Sequence, residues 1–169
     1  GSLRLRLLAA GAASIVIALA LAGLGLTLLF ERHVERRIVA ELELNLRELI
    51  GHLGRSENGA LLLERPLVDP RYEAPLSGLY WQITEEPGGI VLRSRSLWDN
   101  MLDLPADRLR TGEVHRHVIA GPGGATLLIV ERHIVLPQSL GGRAVRVVVA
   151  IDRGEIHLAG RAFASELAP

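Results

Sequence analysis

The sequence predicts an α+β fold in which one long N-terminal helix packs on a five-stranded antiparallel sheet, with a further helix at the C-terminus. Three observations carry this prediction. An uncharged run opens the chain, an apolar stripe at helical spacing follows it, and five strand-like segments fill most of the remainder. At 169 residues the chain has room for one ordinary soluble domain beside such a helix.

The first element is an uncharged run from Leu7 to Phe30, in which Ser14 and Thr27 are the polar side chains. As a helix this run would be about 36 Å long, enough to cross a hydrocarbon layer of ~30 Å. A cleaved signal peptide is the alternative, because Ala-Leu-Ala triplets inside the run resemble a cleavage site. The apolar region of a signal peptide is usually only ~7–15 residues long, so we predict an uncleaved transmembrane helix over residues 1–30.

Local charge does not orient this helix. Arg4 and Arg6 precede the uncharged run, whereas Arg32, Arg36 and Arg37 follow it. The positive-inside rule needs an excess of basic residues on one side. The residues alone therefore leave the sidedness of the helix open.

A helical stalk is predicted over residues 31–54, which contain no proline and no glycine before Gly51. Apolar side chains recur there in steps of three or four, which places them on one helix face. These side chains are Val34, Ile38, Leu42, Leu46, Leu49 and Leu53. Such a stripe is buried against the following domain, in the seam of a parallel homodimer, or in both ways.

A compact domain is predicted over residues 55–152. Its strand-like runs are 79–84, 90–97, 113–120, 125–136 and 144–151, and glycine- or proline-containing turns separate several of them. The spacing of Asp152 and Glu155 matches a capping box. A final helix is therefore expected over residues 153–169.

Composition excludes several classes of function. The formal net charge is zero, which gives no basic face for nucleic acid. Cysteine is absent, so disulfides, thiolate metal sites and a cysteine nucleophile are excluded. No catalytic residues are predicted, since no Ser/His/Asp arrangement or suitably spaced carboxylate pair is present.

Three short strings carry a family resemblance: SGLYWQI at 77–83, LRSRSLWD at 92–99 and LP at 104–105. Together with the N-terminal span and stalk, they resemble the input region of bacterial two-component sensor histidine kinases with a PhoQ-type arrangement. The resemblance covers essentially the whole chain. It implies an inner-membrane homodimer with a periplasmic, PAS/PDC-like sensor domain.

In that family a second span leads to a HAMP linker, a phosphorylated histidine and an ATP-binding domain, and none of these follows in the 169 residues. The resemblance therefore implies signal detection and transmission through dimer helix packing, with no kinase core in this fragment. ATP, Mg²⁺ and a response regulator would concern only the absent kinase domain. The input domain of a cyclase or chemoreceptor, or a membrane-tethered periplasmic assembly domain without signalling, are the alternatives.

Arg93, Arg95 and Trp98, with Trp81 and Tyr80, are the candidate ligand-binding residues. Two arginines two positions apart share a face if both lie on a strand, and paired guanidinium groups suit a carboxylate or phosphate ligand. The unknown ligand would be a small molecule or a periplasmic protein. Pairing of the arginines with neighbouring acids, and core packing of the aromatic rings, are the alternatives.

Three histidines are candidate metal ligands. His115 and His117 share a face of one predicted strand, and His133 lies on the next. If a four-residue turn pairs Ala120 with Ala125, His133 points to the opposite face. A metal needs ligands that converge on one point, so no metal site is predicted here.

Overall fold

The structure is a computed structural model that describes residues 3–86, 88–106 and 110–154. The chain divides into two units, Gly1–Arg37 and Ile38–Pro169. Helix α1, Leu3–Gly51, supplies the first unit and the beginning of the second. Most of the helix predicted over residues 153–169 lies outside the described residues.

The first unit contains the uncharged run of α1. The two polar side chains of this run turn back to the helix backbone, where Ser14 Oγ donates to the Gly11 carbonyl at 2.8 Å and Thr27 Oγ1 to the Gly23 carbonyl at 2.9 Å. The large apolar side chains described there point outward, as Leu19 does with 67% exposure. By length and composition, α1 qualifies as a helix that could cross a membrane.

In the second unit, α1 is followed by seven strands. They are β1 Leu53–Arg55, β2 Leu61–Leu63, β3 Leu79–Glu85, β4 Gly89–Arg93, β5 Val114–Ala120, β6 Thr126–Val135 and β7 Ala144–Asp152. β1 and β2 form a small antiparallel hairpin, which the sequence did not predict. The other five form one antiparallel sheet in the order β4-β3-β7-β6-β5, which confirms the predicted α+β class and the five-stranded sheet.

One face of this sheet packs against α1. Leu42 and Leu46 are 1% exposed and Leu49 is 0% exposed, and they share an apolar core with Leu53 and with side chains of β3, β6 and β7. Burial of each leucine contributes roughly 1.5–3 kcal/mol. The stalk stripe therefore packs against its own domain, one of the arrangements that its spacing predicts.

The burial also corrects the prediction of a dimer seam along the whole stripe. Leu42, Leu46, Leu49 and Leu53 have 0–7% exposure, so no surface is left on them for a second helix. The remaining stripe positions, Val34 and Ile38, are only half-buried. A dimer contact along α1 would have to use these and other exposed positions.

The direction of α1 over the sheet follows from its contacts. Glu43 Oε1 accepts from Arg116 Nη2 at 2.8 Å, halfway along β5. After α1 ends, β1 contacts the turn Gln138–Leu140 beyond the end of β6. The turns of α1 that follow Ile38 therefore lie toward the opposite end of the sheet, where β3 begins and β7 ends.

The face of the sheet opposite α1 is covered by an irregular segment, residues 94–106, which we call the covering segment. Leu97 and Leu102 of this segment are buried with Tyr80, Ile129 and Val148 in a second, smaller core. The sheet is thus a middle layer between a helix and an irregular chain segment.

Candidate functional site

The structure separates the two predicted ligand-binding arginines. β4 ends at Arg93, Ser94 bends the chain, and Arg95 begins a 3-10 turn. The prediction that both guanidinium groups lie on one strand face is wrong, because the strand stops between them. Arg93 is exposed, and its Nη1 donates to the carbonyl of Asn100 at 2.8 Å, within the covering segment.

The predicted aromatic residues are also dispersed. Neighbours on a strand point to opposite faces, so Trp81 packs in the core beneath α1 and Tyr80 packs beneath the covering segment. Trp98 is 55% exposed. Five residues proposed to share one ligand site thus belong to three environments.

In contrast to the dispersed arginines and aromatic residues, the three histidines lie closer together than predicted. The reason is that the register of the β5–β6 hairpin differs from the predicted one by one residue. Ala120 pairs with Thr126, not Ala125, and His115 pairs with Glu131. The turn contains a 3-10 segment at Pro122–Gly124, which takes up one residue more than the predicted turn. A shift of one residue inverts the side-chain facing of β6 relative to β5.

The predicted orientation of His133 is therefore wrong. His133 lies on the face beneath the covering segment, together with His115, His117 and Glu131. Arg146 of β7 pairs directly with His133. We call these five residues the polar cluster.

Glu131 is the centre of the polar cluster and is 0% exposed. Its carboxylate accepts from Arg146 Nε at 2.5 Å and from Arg146 Nη2 at 2.9 Å, a bidentate pair. His117 Nε2 lies 3.0 Å from Glu131 Oε1. One buried carboxylate is thus shared between a guanidinium group and an imidazole ring.

The other two histidines also approach carboxylates. His133 Nε2 lies 3.2 Å from Glu86 Oε2, and His115 Nε2 lies 3.7 Å from Glu113 Oε2. The rings of His115 and His117 are parallel, with their centroids 6.5 Å apart. Each of the three histidines therefore faces a different carboxylate, and they do not converge on one point.

The polar cluster also holds the covering segment on the sheet. Arg146 Nη1 donates to the carbonyl of Pro105 at 2.7 Å. Nearby, the amide of Gln82 exchanges two hydrogen bonds with the backbone of Leu102, at 2.8 and 3.1 Å. Buried polar side chains thus fix the path of an irregular chain, which has no strand partner to do so.

Sequence reasoning missed Glu131 and Arg146. The signal was present in part. Arg146 interrupts the otherwise apolar run AVRVVVAI on β7, and Glu131 begins the polar triplet Glu131–His133 inside the apolar strand LLIVERHIV of β6. Charged residues in such runs are buried only when they are paired. Two opposite charges in neighbouring apolar strands therefore predict a buried ion pair.

Two groups outside the polar cluster have shifted acidities. The guanidinium of Arg71, bonded to the Asp69 carboxylate, holds the pKa of that carboxyl below its usual value, although burial acts in the opposite direction. Burial raises the pKa of the Tyr72 hydroxyl, which accepts a hydrogen bond from Asn45 Nδ2 at 3.1 Å. Tyr72 belongs to the core beneath α1, and Asp69 caps the short turn that contains it.

The described part of the chain contains no group of side chains suited to bind a metal ion. Within residues 3–86, 88–106 and 110–154, no three His, Asp or Glu side chains are grouped as the ligands of a metal ion would be. The polar cluster acts through ion pairs and hydrogen bonds.

The chain is similar to a known protein, the sensor protein kinase CarS of Pseudomonas aeruginosa. The two are 34% identical over 138 residues, which cover 82% of this chain and 28% of CarS. The similarity confirms the resemblance to a sensor kinase and supports the interpretation of the chain as an input region. No family model matches the chain, and no solved structure matches it.

Proposed function

We propose that the chain is the extracytoplasmic signal-sensing region of a membrane-bound sensor histidine kinase, anchored in the inner membrane by the apolar part of α1. The observation that carries the proposal is the similarity to CarS, which extends over 82% of the chain and therefore includes more than the sheet domain. Because the chain spans 28% of that relative, the kinase activity, ATP, Mg²⁺ and a response regulator belong to the proposal.

The connections of the domain support a route for the signal. α1 enters the domain at the end of the sheet where β7 finishes with Asp152, whose amide donates to the carbonyl of Gly78 at 2.7 Å. A stimulus that displaces α1 against β7 would thus alter two connections at the same end of the domain. Paired helices with two packing arrangements are a common switching element. We place the homodimer contact of this proposal on the exposed side of α1.

Sidedness is the first test, and the absence of cysteine in the sequence makes it direct. Single cysteines replace exposed residues on either side of the apolar run, Arg4→Cys before it and Asn58→Cys after it, in the β1–β2 turn. We expect a membrane-impermeant maleimide to label Asn58→Cys in intact spheroplasts and Arg4→Cys only after lysis. The reverse labelling would refute an extracytoplasmic domain.

The dimer contact is tested by disulfide crosslinking in membranes. Leu44 is 57% exposed on α1, next to Glu43, whose contact with Arg116 is exposed, and Ile38 is half-buried. We expect Ile38→Cys or Leu44→Cys to form a covalent dimer and Leu46→Cys, in the core, to remain monomeric. If neither Ile38→Cys nor Leu44→Cys crosslinks, transmission through α1 packing is not supported.

A further inference from the structure

Leu76 and Trp98 combine two unfavourable properties. They are the non-glycine residues with positive φ in the described part of the chain, at 55° and 52°. Both are also large apolar side chains held in solvent, with 58% and 55% exposure. Positive φ is an outlier for bulky residues, and such strain persists only where the surrounding structure imposes it.

Hydrogen bonds around the buried Ser96 impose the positive φ of Leu76 and Trp98. Ser96 is 0% exposed, and its Oγ donates to the carbonyl of Leu79 at 2.7 Å. The carbonyl of Ser96 accepts from the amide of Leu76 at 2.8 Å, and the same turn closes with the amide of Trp98 on the carbonyl of Arg95 at 3.0 Å. One anchored turn thus holds both strained residues, and the fold keeps their side chains out of its two cores.

A third exposed apolar residue follows in the same segment. Met101 is 63% exposed, and we call Leu76, Trp98 and Met101 the apolar tip. The exposed charges near it in the chain are mixed in sign, two basic and three acidic. They are Glu73, Arg93, Arg95, Asp99 and Asp103. A partner that recognises the tip by strong net charge is therefore disfavoured, and a largely apolar surface fits it better.

Two residues of the apolar tip lie at a defined end of the domain. The turn that holds Leu76 and Trp98 is anchored at the carbonyl of Leu79, the first residue of β3, and Asp152 at the end of β7 bonds to neighbouring Gly78. This is the end of the sheet at which α1 enters. Met101 lies farther along β3, beside Leu102, which bonds to Gln82. As a helix, the chain from Phe30 to Ile38 is only about 12 Å long. Leu76 and Trp98 are therefore at the end of the domain at which the chain arrives from the apolar run.

We propose that the apolar tip inserts into the interfacial layer of the bilayer in which α1 is anchored; this inference rests on the membrane anchoring of the proposed function. Tryptophan favours that layer because its ring is amphipathic. Arg93 and Arg95 can extend their charged ends toward the lipid head groups while their stems lie along the apolar surface. Contact with the bilayer then depends on the conformation of the covering segment, which the polar cluster holds on the sheet.

The two tryptophans of the chain make the insertion measurable, because Trp81 is 7% exposed in the core and Trp98 is in the tip. The full chain is reconstituted into phosphatidylcholine vesicles with or without bromine on the acyl carbons nearest the head group. We expect brominated vesicles to quench the emission of the wild-type chain and to leave a Trp98→Phe variant, which retains Trp81, unquenched.

The outcomes separate the two proposals. If the chain floats with the vesicles and its emission is the same with both lipids, the insertion of the tip is overturned and membrane anchoring stands. If the chain does not float with the vesicles, anchoring and insertion are both overturned. Equal quenching of the wild type and Trp98→Phe would also overturn the insertion, since the signal would then come from Trp81.

A second variant tests whether the strain serves the tip. Leu76→Gly removes the apolar side chain and adopts φ of 55° without strain. We expect it to raise the melting temperature of the chain and to reduce the quenching of Trp98 by brominated lipid. Val68→Gly, at an exposed position outside the tip, is the matched control and should leave the quenching unchanged. Unchanged quenching in Leu76→Gly would argue against a role of the tip as a unit.

Discussion

The two faces of the five-stranded sheet are built in opposite ways. The face beneath α1 is apolar, with Ile83, Val130, Val147 and Val149 all 0% exposed. The face beneath the covering segment contains a charged group, Glu131, that is equally buried. One face is closed by a regular helix, and the other by a chain segment without regular structure.

The difference follows from what each cover can offer. A helix satisfies its own backbone hydrogen bonds and presents an apolar stripe, so the sheet beneath it needs only matching apolar surface. An irregular segment brings unpaired backbone groups, such as the carbonyls of Leu102 and Pro105, which need donors from the sheet. Gln82 and Arg146 supply these donors, and Glu131 neutralises the charge of Arg146.

The largest expected effect comes from breaking the buried ion pair. Glu131→Gln leaves the guanidinium of Arg146 buried without a countercharge, which should cost about 3–5 kcal/mol in the free energy of unfolding. Urea unfolding of the full chain in detergent, followed by tryptophan emission, measures the loss. Arg143→Gln removes an exposed pair with Glu85 and should cost only about 0–1 kcal/mol. Equal losses in the two variants would show that burial does not distinguish the pairs.

Removing side-chain volume from the core between α1 and the sheet should lower the free energy of unfolding. Leu46→Ala removes a side chain that is 1% exposed between α1 and the sheet, with an expected loss of about 2–5 kcal/mol. Leu44→Ala, two residues away on the same helix but 57% exposed, should change the free energy of unfolding by no more than about 0.5 kcal/mol. The same urea titration measures both. A large loss in Leu44→Ala would place that residue in a contact that the monomer does not show.

Adding side-chain volume to the core beneath the covering segment should also destabilise the domain. A Cβ at Gly121 would lie 2.5 Å from Cγ of Leu127, so Gly121→Ala forces the side chains apart at a cost of roughly 1–3 kcal/mol. Gly51→Ala meets nothing within 4 Å and should have no such cost. Thermal unfolding compares the two variants. A stable Gly121→Ala would indicate that the second core is loosely packed.

The smallest effect is expected for the polar contact on the α1 face. Tyr72→Phe removes the hydroxyl that accepts from Asn45, at a cost of roughly 0.5–1.5 kcal/mol near neutral pH. Because the pKa of this hydroxyl is raised in the folded chain, the wild type should lose stability as the pH rises above ~10, where the unfolded chain ionises. Tyr72→Phe should lack this part of the alkaline loss. Identical alkaline profiles would mean that Tyr72 does not control it.

The sequence predicted the apolar face well and the polar face poorly, for a physical reason. Stripes such as Leu42, Leu46 and Leu49 have a period that reports helix burial directly. The facing of His133 depended on the number of residues in the β5–β6 turn, and one extra residue inverted it. The break after Arg93 was missed because the hydroxyls of Ser94 and Ser96 bond to each other and to β3, a long-range arrangement without a local signal.

The strand order has a consequence for biosynthesis. β7 is the last strand along the chain but lies in the middle of the sheet, between β3 and β6. A nascent chain that ends before Ala144 therefore has two hairpins, β3–β4 and β5–β6, with no direct pairing between them. Non-local strand pairing is slow because loop closure must precede it. The domain should thus complete its fold only after translation has passed Asp152, long after α1 has been synthesised.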